Sequence, residues 1–158
     1  MKRILVGLAL ALIVAVPLTR PVAAASHSQA HAKATLAIHF TAKVYNGPDK
    51  GMQLGGTLSL HIAPGTGATT GSLIRLNGTR VPVGGRVQNG AVNLFFDVSR
   101  QKHLFGVGTM VYYTPTMQML LGGPLVGPRP GDSGDWAANG HISSFAGLPP
   151  APHVPGSS

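Results

Sequence analysis

The chain has 158 residues, 44% hydrophobic and only 10% charged, with 12 Lys and Arg against four Asp and no Glu or Cys. The lack of cysteine excludes a disulfide scaffold and thiolate metal ligation, and the four Asp are the only side-chain carboxylates available for acid–base work. A formal net charge of +8 favours anionic partners.

Three regions at the start stand in the order that export requires: Lys2-Arg3, the apolar run Ile4 to Val16, and Ala23-Ala24-Ala25. They predict a signal peptide over residues 1–25 and a mature chain that begins at Ser26, secreted or held in the cell envelope. The run is too short for a spanning helix, which needs about 20 apolar residues, and Pro17, Arg20 and Pro21 end it. No Cys stands near the cut to carry a lipid, and no later stretch is long enough to span. Cleavage removes Lys2, Arg3 and Arg20, which leaves nine Lys and Arg against four Asp.

Residues 26–34 are small and polar and read as a flexible segment; 147–158 are rich in Pro and Gly and read as a disordered tail. Between them lies a single domain, 35–146, large enough at roughly 120 residues or slightly fewer for one core. Its apolar residues follow no helical period. β-branched and aromatic runs separated by turn residues predict strands near 35–45, 52–63, 69–76, 79–88, 91–99, 103–113, 117–122 and 135–145. The fold class is therefore all-β: a small antiparallel meander of about eight strands in a closed or nearly closed barrel, with a β-sandwich as the alternative.

In chain order, Leu54, Leu58, Leu60 and Ile62 alternate with Gln53, Thr57, Ser59 and His61, which gives that strand one apolar and one wet side. Asn77-Gly78 and Asn89-Gly90 are the dipeptides of two-residue type I′ hairpins. Two such turns set Ile74 opposite Val81, Arg75 opposite Arg80, Val87 opposite Val92, Val83 opposite Phe96, and Arg86 opposite Asn93. Ile74, Val81, Val83, Val87, Val92, Leu94, Phe96 and Val98 then share the core face. Pro82 implies a bulge or a local loss of pairing, and Asp97 falls opposite it. Gly106 and Gly108 alternate along their strand, which fits a sharp bend or the close approach of a backbone or ligand.

Gly131-Asp132-Ser133-Gly134-Asp135 resembles the segment around the nucleophilic serine of chymotrypsin-like proteases. It departs from that family at Asp135, no Ala-Ala-His segment lies upstream to supply the base, and the mature chain is too short for two barrels. The segment reads as a turn into the last strand, and Trp136 after it as an anchor of the barrel end. Asp132 and Asp135 fall short of the 6–8 oxygens calcium takes. His39 and His61 are candidates for neighbours on adjacent strands, but two ligands make no closed structural site. Asn77-Gly78-Thr79 also matches a glycosylation acceptor.

In overall cast, Gly56-Thr57-Leu58-Ser59-Leu60, the hairpin glycines and the Gly131–Trp136 segment resemble small exported bacterial proteins of uncharacterised function. The strand rhythm of residues 52–113 is similar to meander barrels of the avidin and lipocalin type, which implies a ligand pocket at an open barrel end. Two functions follow. One is a non-catalytic binding or surface protein whose ligand is a small molecule in a barrel pocket or an anionic envelope polymer, with Arg75, Arg80 and Arg86 as an anion-contacting patch. The other is a small barrel-type enzyme with a minimal pocket, for which His103, Tyr112 and Tyr113 are the candidates together with Asp97. No motif specifies a metal, an organic cofactor or a nucleic-acid partner.

Overall fold

The structure is a computed structural model that describes residues 34–145 and 147–155. The predicted signal peptide and most of the predicted flexible segment lie outside these residues. Nine strands occur among the described residues: β1 Ala34–Asn46, β2 Gln53–Ile62, β3 Ala68–Arg75, β4 Arg80–Gln88, β5 Ala91–Ser99, β6 Lys102–Tyr113, β7 Gln118–Val126, β8 Ser133–His141 and β9 His153–Val154. Each of β1 to β8 pairs antiparallel with its sequence neighbour, and β8 closes on β1. The result is a closed eight-stranded meander barrel, so the sandwich alternative falls away.

Period-2 alternation decides which side chains enter the barrel. Leu36, Ile38, Phe40, Ala42 and Val44 on β1 are all buried, as are Leu54, Leu58, Leu60 and Ile62 on β2. The interior is filled by large groups: the Phe40 ring lies 4.8 Å from that of Phe96 and 6.1 Å from that of Trp136. Trp136 is buried against Phe40, level with Ala42 and Leu54 toward the end where β2 begins, and its indole N–H donates to the Val107 carbonyl at 3.1 Å. Gly106 explains how it fits: a Cβ there would lie 2.8 Å from the indole nitrogen. The close approach anticipated at this glycine is made by the protein's own tryptophan. At Gly108 it is made by backbone, with the Gly122 carbonyl oxygen 2.1 Å from where a Cβ would stand.

The Asn89-Gly90 hairpin has the expected form, with both residues at positive φ and Val87 opposite Val92. Asn77-Gly78 does not. Only Gly78 has positive φ there; its N–H donates to the Arg75 carbonyl, and the Arg75 N–H to the Thr79 carbonyl. This is a three-residue loop, a tight turn followed by a left-handed glycine. It shifts the register by one residue, so that Leu73 faces Val81 and Ile74 faces Arg80. Leu73 and Ile74 are adjacent apolar residues, so alternation within β3 cannot choose between them. The choice falls to β2, where Leu58 stands opposite Leu73 and both are fully buried. Ile74 is 41% exposed, which corrects its predicted place in the core.

Further corrections concern boundaries. β7 runs on to Val126, past Gly122-Gly123-Pro124, because its ladder with β8 is continuous there while that with β6 is interrupted between Gly122 and Leu125. β8 starts at Ser133 and stops at His141. The β4–β5 ladder begins at Val83, leaving Pro82 outside it and Val81 without the predicted partner Val98. The proline-rich tail is structured as far as residue 155: β9 pairs parallel with β6 on the edge that β5 leaves open beyond Ala91. The Tyr112 N–H donates to the Pro152 carbonyl at 2.9 Å and its hydroxyl to the Pro149 carbonyl at 2.7 Å.

Candidate anion-binding rim

An even strand count divides the loops cleanly between the two barrel ends. The β1–β2, β3–β4, β5–β6 and β7–β8 loops lie at one end, called here the upper one. The β2–β3, β4–β5 and β6–β7 loops and the segment after β8 lie at the other. Every upper loop carries a cation in its turn or at the strand ends it joins: Lys50, then Arg75 and Arg80, then Arg100 and Lys102, then Arg129. Two carboxylates share these loops, Asp49 and Asp132. Among the described residues of the lower loops and the segment after β8 there is no Lys, Arg or Asp.

The two carboxylates are committed to the fold. Asp132, 3% exposed, accepts the backbone N–H of Asp49 at 2.8 Å and that of Arg129 at 2.9 Å. Asp49 pairs with the Arg129 guanidinium and, at 3.4 Å, with the Lys102 ammonium. The Arg129 hydrogen bond, reinforced by both positive charges, holds the Asp49 carboxyl down at about 2 against the ordinary 3.8. Among the described residues Lys50, Arg75, Arg80 and Arg100 form no ion pair. They are the rim cations with no carboxylate partner among the described residues.

The predicted patch is rearranged accordingly. Arg75 and Arg80 are not cross-strand partners, because Arg80 stands opposite Ile74. Arg75 has the inward parity of Leu73, whereas Arg80 follows the outward parity that alternates with buried Val81. Both nevertheless flank the same upper hairpin. Arg86 does stand opposite Asn93, but it lies toward the lower end, where its Nε donates to the Thr66 carbonyl at 2.8 Å. It is not part of the rim.

The pocket candidates do not converge. His103 is exposed near the upper end, its Nδ1 2.7 Å from an Asp97 carboxylate oxygen, so Asp97 answers to a histidine across β6 and not to Arg80. Tyr112 stands nine residues further along the same strand, about 30 Å away, and points inward. Burial pushes its hydroxyl up to about 12. Phe145 and His153 pack on the Tyr112 ring at 5.2 Å each, so the C-terminal segment covers that end of the interior. Tyr113 has the opposite parity and faces out. His39 and His61 stand opposite Thr57 and Thr35 and so are separated along the barrel. Among the described residues no group of three or more His, Cys, Asp or Glu is placed to hold a metal. Ser133 is exposed, and its hydroxyl accepts from the Asn46 side chain at 3.2 Å.

An open groove of about 550 Å³ crosses the outer face of β2, β1 and β8. Gly55, Thr41 and Ala137 form its low floor, between His39 on one side and the row Gln53, Lys43, Asp135 on the other.

The rim belongs to a class of protein defined by fold alone, the closed antiparallel meander barrel with an apolar, side-chain-filled interior. Comparison with known proteins adds no relative: no family model matches the chain, nor does any curated protein or solved structure.

Proposed function

We propose that this is an exported, non-catalytic binding protein that meets an anionic partner on its outer surface, through the upper rim of the barrel. The observation that carries this reading is the segregation of charge: cations on all four upper loops, their two carboxylates engaged within the fold, and no Lys, Arg or Asp in the described lower loops. Cations clustered at one end focus the field there and raise the local concentration of anions. A ligand inside the barrel has less support, since Phe40, Phe96, Trp136 and their neighbours occupy the interior. The separation of His103, Tyr112 and Tyr113 likewise gives no support to the enzyme alternative. Export rests on the order of charged, apolar and small residues in 1–25.

The test is titration of the mature chain with long-chain inorganic polyphosphate by calorimetry. Binding at low ionic strength that weakens steeply with added salt is expected. A variant combining Arg75→Ala, Arg80→Ala and Arg100→Ala should bind at least about tenfold more weakly with a flatter salt dependence, while Arg86→Ala should bind like the native protein. Absence of binding in low salt, or equal loss from Arg86→Ala, would remove the rim as the site.

A further inference from the structure

We infer that the anionic partner of the rim is a lipid bilayer surface, with Leu76 as the side chain that enters it. This rests on the rim reading and adds to it a partner and a depth. Leu76 is 91% exposed, the highest value among the exposed large hydrophobic residues, and it opens the three-residue turn Leu76-Asn77-Gly78. The turn does not call for it. The first central position of a tight turn accepts most residues, whereas the left-handed position is the one that demands glycine, and Gly78 fills it at φ +79°. Leu76 borders the open groove on the outer face of β2, β1 and β8 but stays 91% exposed, so the fold buries little of it.

Its surroundings supply what a bilayer requires. Arg75 and Arg80 bracket the turn, and Lys50, Arg100 and Arg129 rise from the other three loops. Stable attachment to a membrane takes two signals, an apolar group below the headgroups and basic charge level with them. The upper hairpin and its neighbouring loops combine both. A soluble polyanion would engage the arginines and leave Leu76 in water, so a bilayer accounts for more of the surface.

The rim is also built before it binds. Pro48, Pro128 and Pro130 restrict the two loops that the Asp132 carboxylate joins, and Asp49 ties those loops to the start of β6. Little ordering remains to be done on contact. The outer face below the rim is uneven: on β1 and β2 its residues, such as Thr41, Lys43, Thr57 and Ser59, are polar, whereas Phe95, Phe105 and Val126 stand exposed side by side on β5, β6 and β7.

The experiment is sedimentation of the mature protein with phosphatidylcholine vesicles that contain either no anionic lipid or about 30% phosphatidylglycerol, alongside titration with long-chain polyphosphate. Binding to the anionic vesicles only is expected. Leu76→Ser should weaken it by about tenfold and leave polyphosphate binding unchanged. Leu76→Trp in a Trp136→Phe background should bind the vesicles and shift its emission to the blue as the indole enters the headgroup region. Equal vesicle binding by Leu76→Ser and native protein, or emission from the introduced indole that stays at the wavelength seen in water, overturns the inference while leaving the rim reading in place. Binding to polyphosphate without binding to vesicles assigns the rim to a polymer. Binding to neither removes both readings.

Discussion

Asp132 and Asp49, on facing loops of the upper rim, are joined side chain to backbone: the Asp132 carboxylate accepts the Asp49 N–H at 2.8 Å, while the Asp49 carboxylate pairs with Arg129 and Lys102. One carboxylate shapes the loops and the other neutralises part of their charge. Asp132→Ala would leave the N–H groups of Asp49 and Arg129 without their acceptor, and its expected cost is about 2–3 kcal/mol. Urea unfolding of a chain spanning residues 26–158 checks this. A loss below about 0.5 kcal/mol would mean that the loops keep their shape without the carboxylate.

The pairing of Asp49 sets a pH dependence. Its carboxyl lies at about 2 in the folded chain, below its ordinary 3.8, so its stabilising contribution is present above 3.8 and is lost as pH falls toward 2. Acid unfolding of Asp49→Asn should accordingly be flatter between pH 3.8 and 2 than that of the native protein, with the difference shrinking in high salt. Parallel acid limbs for the two proteins would contradict the pairing.

At the lower end, burial raises the Tyr112 hydroxyl to about 12, so its contribution is complete below pH 10 and is lost as pH rises from 10 to 12. A chain that ends at Phe145 loses the Pro149 and Pro152 acceptors and the His153 ring. Ultraviolet titration of that truncation should show the buried tyrosine ionising closer to 10. An unaltered titration would mean that the C-terminal segment does not cover Tyr112.

The register at the Asn77-Gly78 hairpin makes Leu73 a core residue and Ile74 a surface one. Leu73→Ala should cost about 2–5 kcal/mol and Ile74→Ala less than about 1. The opposite order in thermal or urea unfolding would restore the two-residue turn.

Gly106→Val would put side-chain atoms where the Trp136 indole sits. Because Trp136 is the only tryptophan, its fluorescence reports the displacement: a red shift of the emission is expected, with a stability loss of about 1–3 kcal/mol.

The strand pattern is legible in the sequence because the barrel has one apolar and one polar side, which imprints alternation on β1, β2, β4 and β5. What alternation cannot supply is phase at β3, where Leu73 and Ile74 are both apolar and the turn dipeptide admits two loop lengths. The docking of the tail is hidden for a different reason. β9 is recruited by an edge of β6 that exists only because β5 is shorter than β6, a fact about two other strands. The rim is legible in part: the hairpin dipeptide draws attention to Arg75 and Arg80, though as a pair facing across two strands. Lys50, Arg100, Lys102 and Arg129 are scattered along the sequence, and only the alternation of loops between the two ends gathers them.

Because the barrel has eight strands, the first of them starts where the last one finishes. Ala34 begins β1 at the lower end, and the segment that carries residues 147–155 folds back against that end. A fluorophore, an affinity handle or a second domain joined directly at Ala34 or at Pro155 would hang from the lower end, away from the four upper loops. A pillar tethered from below in this way would present its four upper loops without obstruction. Immobilisation through that end would therefore orient the protein on a sensor surface with its upper loops facing the solution.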